Sequence, residues 1–360
     1  MRTTAGFVLW SVLCLSSCAP SLAKLPISKG GAISPSGAGE VRRQLQIKYL
    51  GNGGFLLQYG KEVILTAPFF SNPSLFRVLF WSIRADPGQI NAFLPPVAEV
   101  KAILVGHAHY DHLLDIPYIA HERAPSAIIY GNHTAVNILT AVLPPERLVA
   151  LDGNGPASSL LGQWQLIPGT HVRLMAVKSE HAPHVCMLGG CITVFRGDVS
   201  QPLDRLPRTA WGWKEGQTLA YLIDFLEDDG TVAFRIHYQD AASGAPYGFP
   251  PLSPDDQKSV DVAILCVPGA HYVKDYPRGI VGYLKPRYVI LAHWEDFFRP
   301  RTGDPGGVHV LPVGTDPKEF MAHVKNAWSL AEPLMPLPGS WLQFPPESFL
   351  SPLKPKRLTF

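Results

Sequence analysis

Three histidines and an aspartate fall within six positions, at His107, His109, Asp111 and His112, directly after the apolar run Ile103 to Val105. Imidazole nitrogen with carboxylate oxygen is the donor set of a divalent metal site. In an extended segment residues two apart face the same way, so His107 and His109 can meet one ion while Asp111 and His112, a turn later, serve another. The alternative for these residues taken alone is a solvated histidine cluster in a loop. Two cations sharing a water lower its pKa toward neutrality, so the chemistry open to such a site is hydrolysis by a metal-bridging hydroxide, without a protein nucleophile.

Elements must hold that cluster in place, and their pattern is a run of short strands with few helices. Strand-like stretches recur at 45–50, 54–58, 62–66, 101–105, 127–130, 172–177, 191–195, 218–225, 231–236, 261–267 and 287–292, and helical patterns follow the histidine cluster, at 133–143 and at 316–331. That alternation predicts an α/β protein built as a four-layer sandwich, two sheets inside and helices outside. The 360 residues, 46% of them apolar, can bury one large core or two fused half-domains, so disorder is excluded for most of the chain. The 35 prolines and 32 glycines call for many turns and ordered loops. A formal charge of +2 without a dense basic run gives no electrostatic footprint for nucleic acid.

Around the cluster the chain resembles the metallo-β-lactamase superfamily, whose His-x-His-x-Asp-His signature His107, His109, Asp111 and His112 match. Within it the resemblance is to lactonase-like and N-acyl-phosphatidylethanolamine phospholipase D-like hydrolases. Ile47 to Leu57 (Ile-Lys-Tyr-Leu-Gly-Asn-Gly-Gly-Phe-Leu-Leu) is similar to that branch's opening strand. The resemblance implies a four-layer αββα sandwich of the metallo-β-lactamase type over 45–332 and a seven-ligand dinuclear centre. His107, His109 and His181 would hold one ion, Asp111, His112 and His293 the other, and Asp240 would bridge them. His184 is the rival to His181 in Glu180-His181-Ala182-Pro183-His184, and His237 reads as a strand side chain. Zinc suits this set best, and manganese or iron would also be accepted. By the same analogy Asp111 is catalytic, orienting the hydroxide and shuttling its proton. His271 and Tyr272 are candidates for substrate contact or an ordinary surface turn. One position departs from the pattern: the second strand of these proteins commonly ends in Asp-Pro, and here Ala67-Pro68 stands instead. That aspartate supports the metal cluster, and losing such support can cost about 10-fold to 100-fold in affinity or activity.

Residues 1–23 read as a leader whose apolar stretch, Phe7 to Leu15, is too short to span a bilayer. Leu15-Ser16-Ser17-Cys18 resembles a lipoprotein box, making Cys18 a lipidated first residue of a protein anchored in the bacterial cell envelope, at the periplasmic face of the outer membrane in a Gram-negative cell. Ser21-Leu22-Ala23 offers a competing site that would give a soluble periplasmic or secreted protein. Residues 24–44, rich in Gly, Ser and Pro, read as a tether, and 333–360 as a proline-rich strap. Export would permit a disulfide between Cys186 and Cys191, the alternative being two free thiols, and would leave Cys266 buried and inert. Phe76, Leu79, Phe80 and Ile83 share a face of a helical pattern at 74–84, which is either a lid open to acyl chains or a bilayer, or a helix packed on the core. Two functions follow: an envelope hydrolase of a phosphodiester (a phospholipid among them), a lactone or an amide, its substrate a small molecule or a lipid; or a catalytically impaired metal-binding lipoprotein that keeps the hydrolase fold.

Overall fold

The computed structural model describes residues 25–28, 44–153, 159–187, 190–251 and 258–345. The leader with Cys18, and most of the expected tether, lie outside the described residues. Within them, the first sheet contains β1 (Leu45–Gly51), β2 (Gly54–Tyr59), β3 (Glu62–Thr66), β4 (Ala102–Leu104), β5 (Ile128–Gly131) and β6 (Leu148–Ala150), in that spatial order, with β16 (Trp341–Phe344) beside β1. The second runs β7 (Trp164–Leu166), β8 (Val172–Lys178), β11 (Leu219–Leu226), β12 (Val232–Gln239), β13 (Val262–Cys266), β14 (Tyr288–Ala292), β15 (Glu332–Leu334). A small hairpin, β9 (Val185–Met187) with β10 (Gly190–Ile192), stands apart.

Each large sheet is antiparallel on one side and parallel on the other. β3 to β6 are parallel, as are β12 to β15, while β16, β1, β2 and β3 alternate in direction, as do β7, β8, β11 and β12. The two halves therefore repeat one strand plan, with β3, β4 and β5 answering to β12, β13 and β14. The sequence shows no internal repeat, because the shared plan needs only matching strand periodicity and not matching residues.

Side-chain alternation makes the layers. Ile47, Tyr49, Phe55, Leu57, Ile64 and Leu104 face the second sheet, where they meet Leu174, Tyr221, Ile223, Phe234 and Tyr238. Their neighbours Leu56, Leu65, Ile103, Val105 and Ile129 face outward into a separate cluster with the helices α1 (Leu75–Phe80), α2 (Pro87–Phe93), α3 (Tyr110–Leu113), α4 (Ile116–Glu122) and α5 (His133–Leu139). Outside the second sheet lie α6 (Arg278–Leu284) and α7 (Pro317–Ala327), which bury Ile280, Val281, Phe320 and Val324. The result is the expected αββα sandwich. Among the described residues, no helix is long and apolar enough to cross a membrane.

Two stretches differ from expectation. The segment from Pro333 begins inside β15 and continues to β16, whose residues pair with Leu45 to Lys48, so its first part is sheet and not surface strap. The 74–84 pattern forms only the six-residue α1, which buries Val78 and leaves Phe76 and Phe80 exposed. Trp81 turns extended and ends the helix, and Ile83 reaches the core through a backbone bond to Arg208. The helix is thus not packed on the core by the face its periodicity suggested.

Candidate metal centre and adjoining cleft

The loops after strand ends converge on one edge of the sandwich. His107 follows β4, and Asp111 and His112 lie on α3; His181 follows β8, Asp240 ends the run of β12, and His293 directly follows β14. The side chains form three overlapping groups, His107 with His109 and His181, His107 with His112 and Asp240, and Asp111 with His112 and His293, whose ligand atoms lie within 4.8 Å of one another. All seven residues of the expected set are thus brought together.

Close approach depends on glycine. A Cβ on Gly106 would overlap both Asp240 carboxylate oxygens, and one on Gly53 would meet His112 Nδ1 at 2.8 Å. Asp240 instead lies against the Gly106 backbone, whose N–H donates to Oδ2 at 3.2 Å, and its Oδ1 is 3.2 Å from His107 Nδ1. Asn52 donates from Nδ2 to the Asp111 carbonyl at 2.6 Å, and His293 Nε2 sits 3.2 Å from Asp111 Oδ2. His293 itself adopts a φ of 63°, a left-handed conformation uncommon for a side chain with a Cβ and held here by N–H bonds to the Asn52 carbonyl and the Tyr49 hydroxyl, both at 3.0 Å. Ala67 is fully buried. It brings no carboxylate to this cluster.

Charge follows the same arrangement. Burial alone would raise the Asp111 and Asp240 carboxyls, but the imidazoles of His112 and His293 around the first, and of His112 and His107 around the second, hold both well below the usual carboxylate range. Burial, with repulsion from neighbouring imidazoles, pushes His109 and His181 well down, so both rings are neutral with a lone pair to give. The Nε2 atoms of His107 and His109 are buried without a hydrogen-bond partner. An orphaned imidazole nitrogen in a dry site is costly unless it ligates a cation, so the residues present fit a metal.

Hydrogen bonding separates His181 from His184. His181 Nδ1 gives its proton to the Ala182 carbonyl at 2.6 Å, leaving the Nε2 lone pair for a metal. His184 Nδ1 accepts from the Val194 N–H at 3.3 Å, which puts the proton of the neutral ring on Nε2 and makes it a donor instead of a ligand. It stacks on His181 with ring centroids 4.6 Å apart. The hairpin that carries it onward is closed by a disulfide between Cys186 and Cys191, while Cys266 is free and buried.

His237 is fully buried on the face of β12 opposite Phe234, Ile236 and Tyr238, with Nε2 3.4 Å from Gln239 Oε1, and burial pushes its pKa down to about 4. The unfolded chain, where histidine titrates near 6.5, therefore binds the proton first. Stability contributed by the neutral ring is complete above about pH 6.5 and is lost as pH falls toward 4, at a cost of about 2 kcal/mol by pH 5. Urea denaturation of the metal-free protein at pH 7 and pH 5 checks this, and His237→Gln is expected to shrink the difference.

Beside the cluster opens a cleft of about 710 Å³, lined by His181 and by His133, Asp152, Lys178, Arg196 and Glu215 among others. His271 and Tyr272 do not line it. They form a turn, ring against ring at 3.8 Å, after Gly269, which packs on Ala182.

No protein-family model matches the chain, and no curated protein matches it. Solved structures do. A metallo hydrolase from the archaeon Ignicoccus hospitalis is similar over 84% of this chain and 99% of its own at 17% identity, with a TM-score of 0.49. YhfI, a metallo-beta-lactamase fold protein from Bacillus subtilis, covers 83% and 99% at 12% identity and a TM-score of 0.45. CmlA, a diiron beta-hydroxylase from Streptomyces venezuelae, covers 84% of this chain and 54% of its own at 15% identity and a TM-score of 0.45. The fold rests on its own strand order and layers, and the candidate centre on its side chains.

The cleft residues His133, Asp152, Lys178 and Arg196 carry no motif. Asn132 is legible as a helix cap, since its Oδ1 accepts from the Ala135 N–H at 2.7 Å, but nothing in sequence pairs the residue after it with Asp152.

Proposed function

We propose that this protein is a dinuclear metal-dependent hydrolase of phosphodiesters, with an amphiphilic lipid as the substrate class. The observation that carries the hydrolase reading is the set of three overlapping ligand groups with buried, unpartnered His107 and His109 nitrogens. Two divalent ions there, zinc by donor chemistry, would supply Lewis acidity, acidifying a water and polarising the bond under attack. The chain's own residues supply the rest. Asp240, absent from the His107–His109–His181 and Asp111–His112–His293 groups but set between His107 and His112, would balance the charge of both ions. Asp111, ionised and held by Asn52 and His293, can accept and pass on the proton of an attacking water.

The lipid class is supported by an apolar surface next to the centre. Phe76, Phe80, Trp81 and Trp211 are 60%, 50%, 62% and 47% exposed, and Trp211 Nε1 donates to the Leu79 carbonyl at 3.2 Å, which joins them into one patch. Phe195 links the patch to the cluster, 4.9 Å from Trp211 and 5.8 Å from His109 between ring centroids. Exposed Arg77, Arg84 and Arg208 suit anionic headgroups at its border. A lipidated Cys18, outside the described residues, would hold the enzyme at an envelope membrane as part of this proposal.

Ala67 favours a second reading, a metal-binding protein with impaired turnover. Metal analysis of the purified protein, followed by assay on bis-p-nitrophenyl phosphate, lactones and phospholipid vesicles, separates the two: stoichiometric metal with no turnover supports the second. For the lipid class, Phe76→Ser with Phe80→Ser and Trp81→Ser is expected to lower activity on vesicles at least about tenfold more than on bis-p-nitrophenyl phosphate, since each aromatic withdrawn from an interface forfeits about 1.5–3 kcal/mol at full burial. Equal losses on both would refute it.

A further inference from the structure

Beyond the metal ligands, the cleft holds a histidine oriented by a carboxylate. His133 Nδ1 lies 2.6 Å from Asp152 Oδ2, and the His133 backbone N–H donates to the other oxygen, Oδ1, at 2.8 Å. Asn132 caps α5 through the Ala135 N–H and Asp152 Oδ1 takes the His133 N–H at the same terminus, which leaves the contact of Oδ2 with the imidazole as the part that helix capping does not account for. Both carboxylate oxygens are spent on one residue, which fixes the ring in the Nδ1–H tautomer and presents Nε2 outward. The His133 side chain is 23% exposed and Asp152 only 6%, so the ring is reachable and its orienting partner is not. Nε2 lies 3.8 Å from Asp198 Oδ1, on a side chain 57% exposed.

Its place in the fold is equally specific. β5 stands in the first sheet where β14 stands in the second, and the parallel strands of both sheets deliver His107, Asp240 and His293 to one edge. As His293 follows β14, Asn132 and His133 follow β5, and His133 shares a cleft with the metal-facing His181.

We propose that His133, oriented by Asp152, is a catalytic residue that donates a proton to the leaving group of the substrate bound in this cleft. The proposal rests on the hydrolase reading. In the step, the attacking oxygen forms its bond to phosphorus while the phosphorus–oxygen bond to the leaving alcohol breaks. Its electron pair goes to that oxygen, which takes the proton from His133 Nε2, and the imidazole regains one from solvent. Asp152 orients the ring, as a carboxylate does in hydrolases that employ a histidine.

The test uses leaving groups that differ in their need for a proton. p-Nitrophenolate departs unprotonated; an alkoxide does not. His133→Gln and Asp152→Asn, both metal-loaded, are compared with wild type on bis-p-nitrophenyl phosphate and on glycerophosphocholine, alongside metal content and melting temperature. A positioned acid contributes about 10²-fold to 10⁴-fold. The expected result is a loss in kcat/KM on the alkyl ester at least about 30-fold greater than on the aryl ester for His133→Gln, and a smaller loss of the same selectivity for Asp152→Asn. In the metal-free protein, nitrogen-15 NMR is expected to show the His133 Nδ1–H tautomer, lost in Asp152→Asn. Equal losses on the two esters overturn the proposal and assign the pair a structural role. Wild type that cleaves the aryl ester but not the alkyl ester also overturns it, and wild type inactive on both overturns the hydrolase reading beneath it.

Discussion

Asp240→Asn is expected to give a folded protein that holds at most one metal ion per chain and has lost at least about 10³-fold in kcat/KM. The substitution keeps the side chain's volume, and the amide oxygen can still accept from the Gly106 N–H and the Tyr238 hydroxyl, which lies 3.3 Å from Oδ2. What disappears is the negative charge between His107 and His112, the carboxylate that two cations would share in the proposed centre. A water on one zinc ion in solution titrates near 9 and one on zinc in a tuned protein site near 7, so a site whose tuning fails with the loss of this carboxylate has up to about 10²-fold less nucleophile at neutral pH. Weaker metal retention adds the remainder. Metal analysis by mass spectrometry, with kinetics on bis-p-nitrophenyl phosphate at saturating zinc, checks both parts. Full metal content in the variant would show that Asp240 is not the shared ligand.

Gly106→Ala is expected to reproduce most of that loss without altering a ligand. The added methyl would occupy the space of the Asp240 carboxylate, and neither partner has room to yield, since Gly106 joins β4 to His107 and Asp240 is 1% exposed. Overpacking of this kind costs about 1–3 kcal/mol in stability. Its larger consequence is displacement of the carboxylate from His107 and His112, with metal content falling as in Asp240→Asn. Calorimetry of the metal-free protein separates the two effects: a lower melting temperature reports the clash, and only metal titration reports the displaced ligand. Normal loading and activity in Gly106→Ala would mean that Asp240 can bind from another position.

The sequence exposes some of this centre far better than the rest. His107, His109, Asp111 and His112 are legible because four donors share one strand end and one short helix, so local spacing already determines their geometry. His181, with its rival His184, Asp240 and His293 lie on three separate loops distant in sequence from the first cluster, and only a resemblance to known hydrolases picks them out. Strand periodicity locates the long strands of both sheets, but β6, β7 and β15 have three residues each, too few for alternation to register. Apolar residues in 74–84 suggest a buried face, and the structure leaves Phe76 and Phe80 exposed because burial depends on what lies opposite, which one sequence does not state. His133 and Asp152 are 19 residues apart with no repeat or motif between them, so their pairing emerges only when β5 and β6 lie side by side.

The pairing of β16 with β1 ties almost the last described residues to the first strand of the sandwich. During synthesis β1 would leave the ribosome nearly three hundred residues ahead of the strand that covers its edge, since Leu45 pairs with Phe344. Until then an apolar strand with unpaired backbone groups stands open to neighbouring chains, the condition under which proteins aggregate. A chain cut short before Trp341 would carry that open edge permanently, so the intact C-terminal region protects solubility as well as shape.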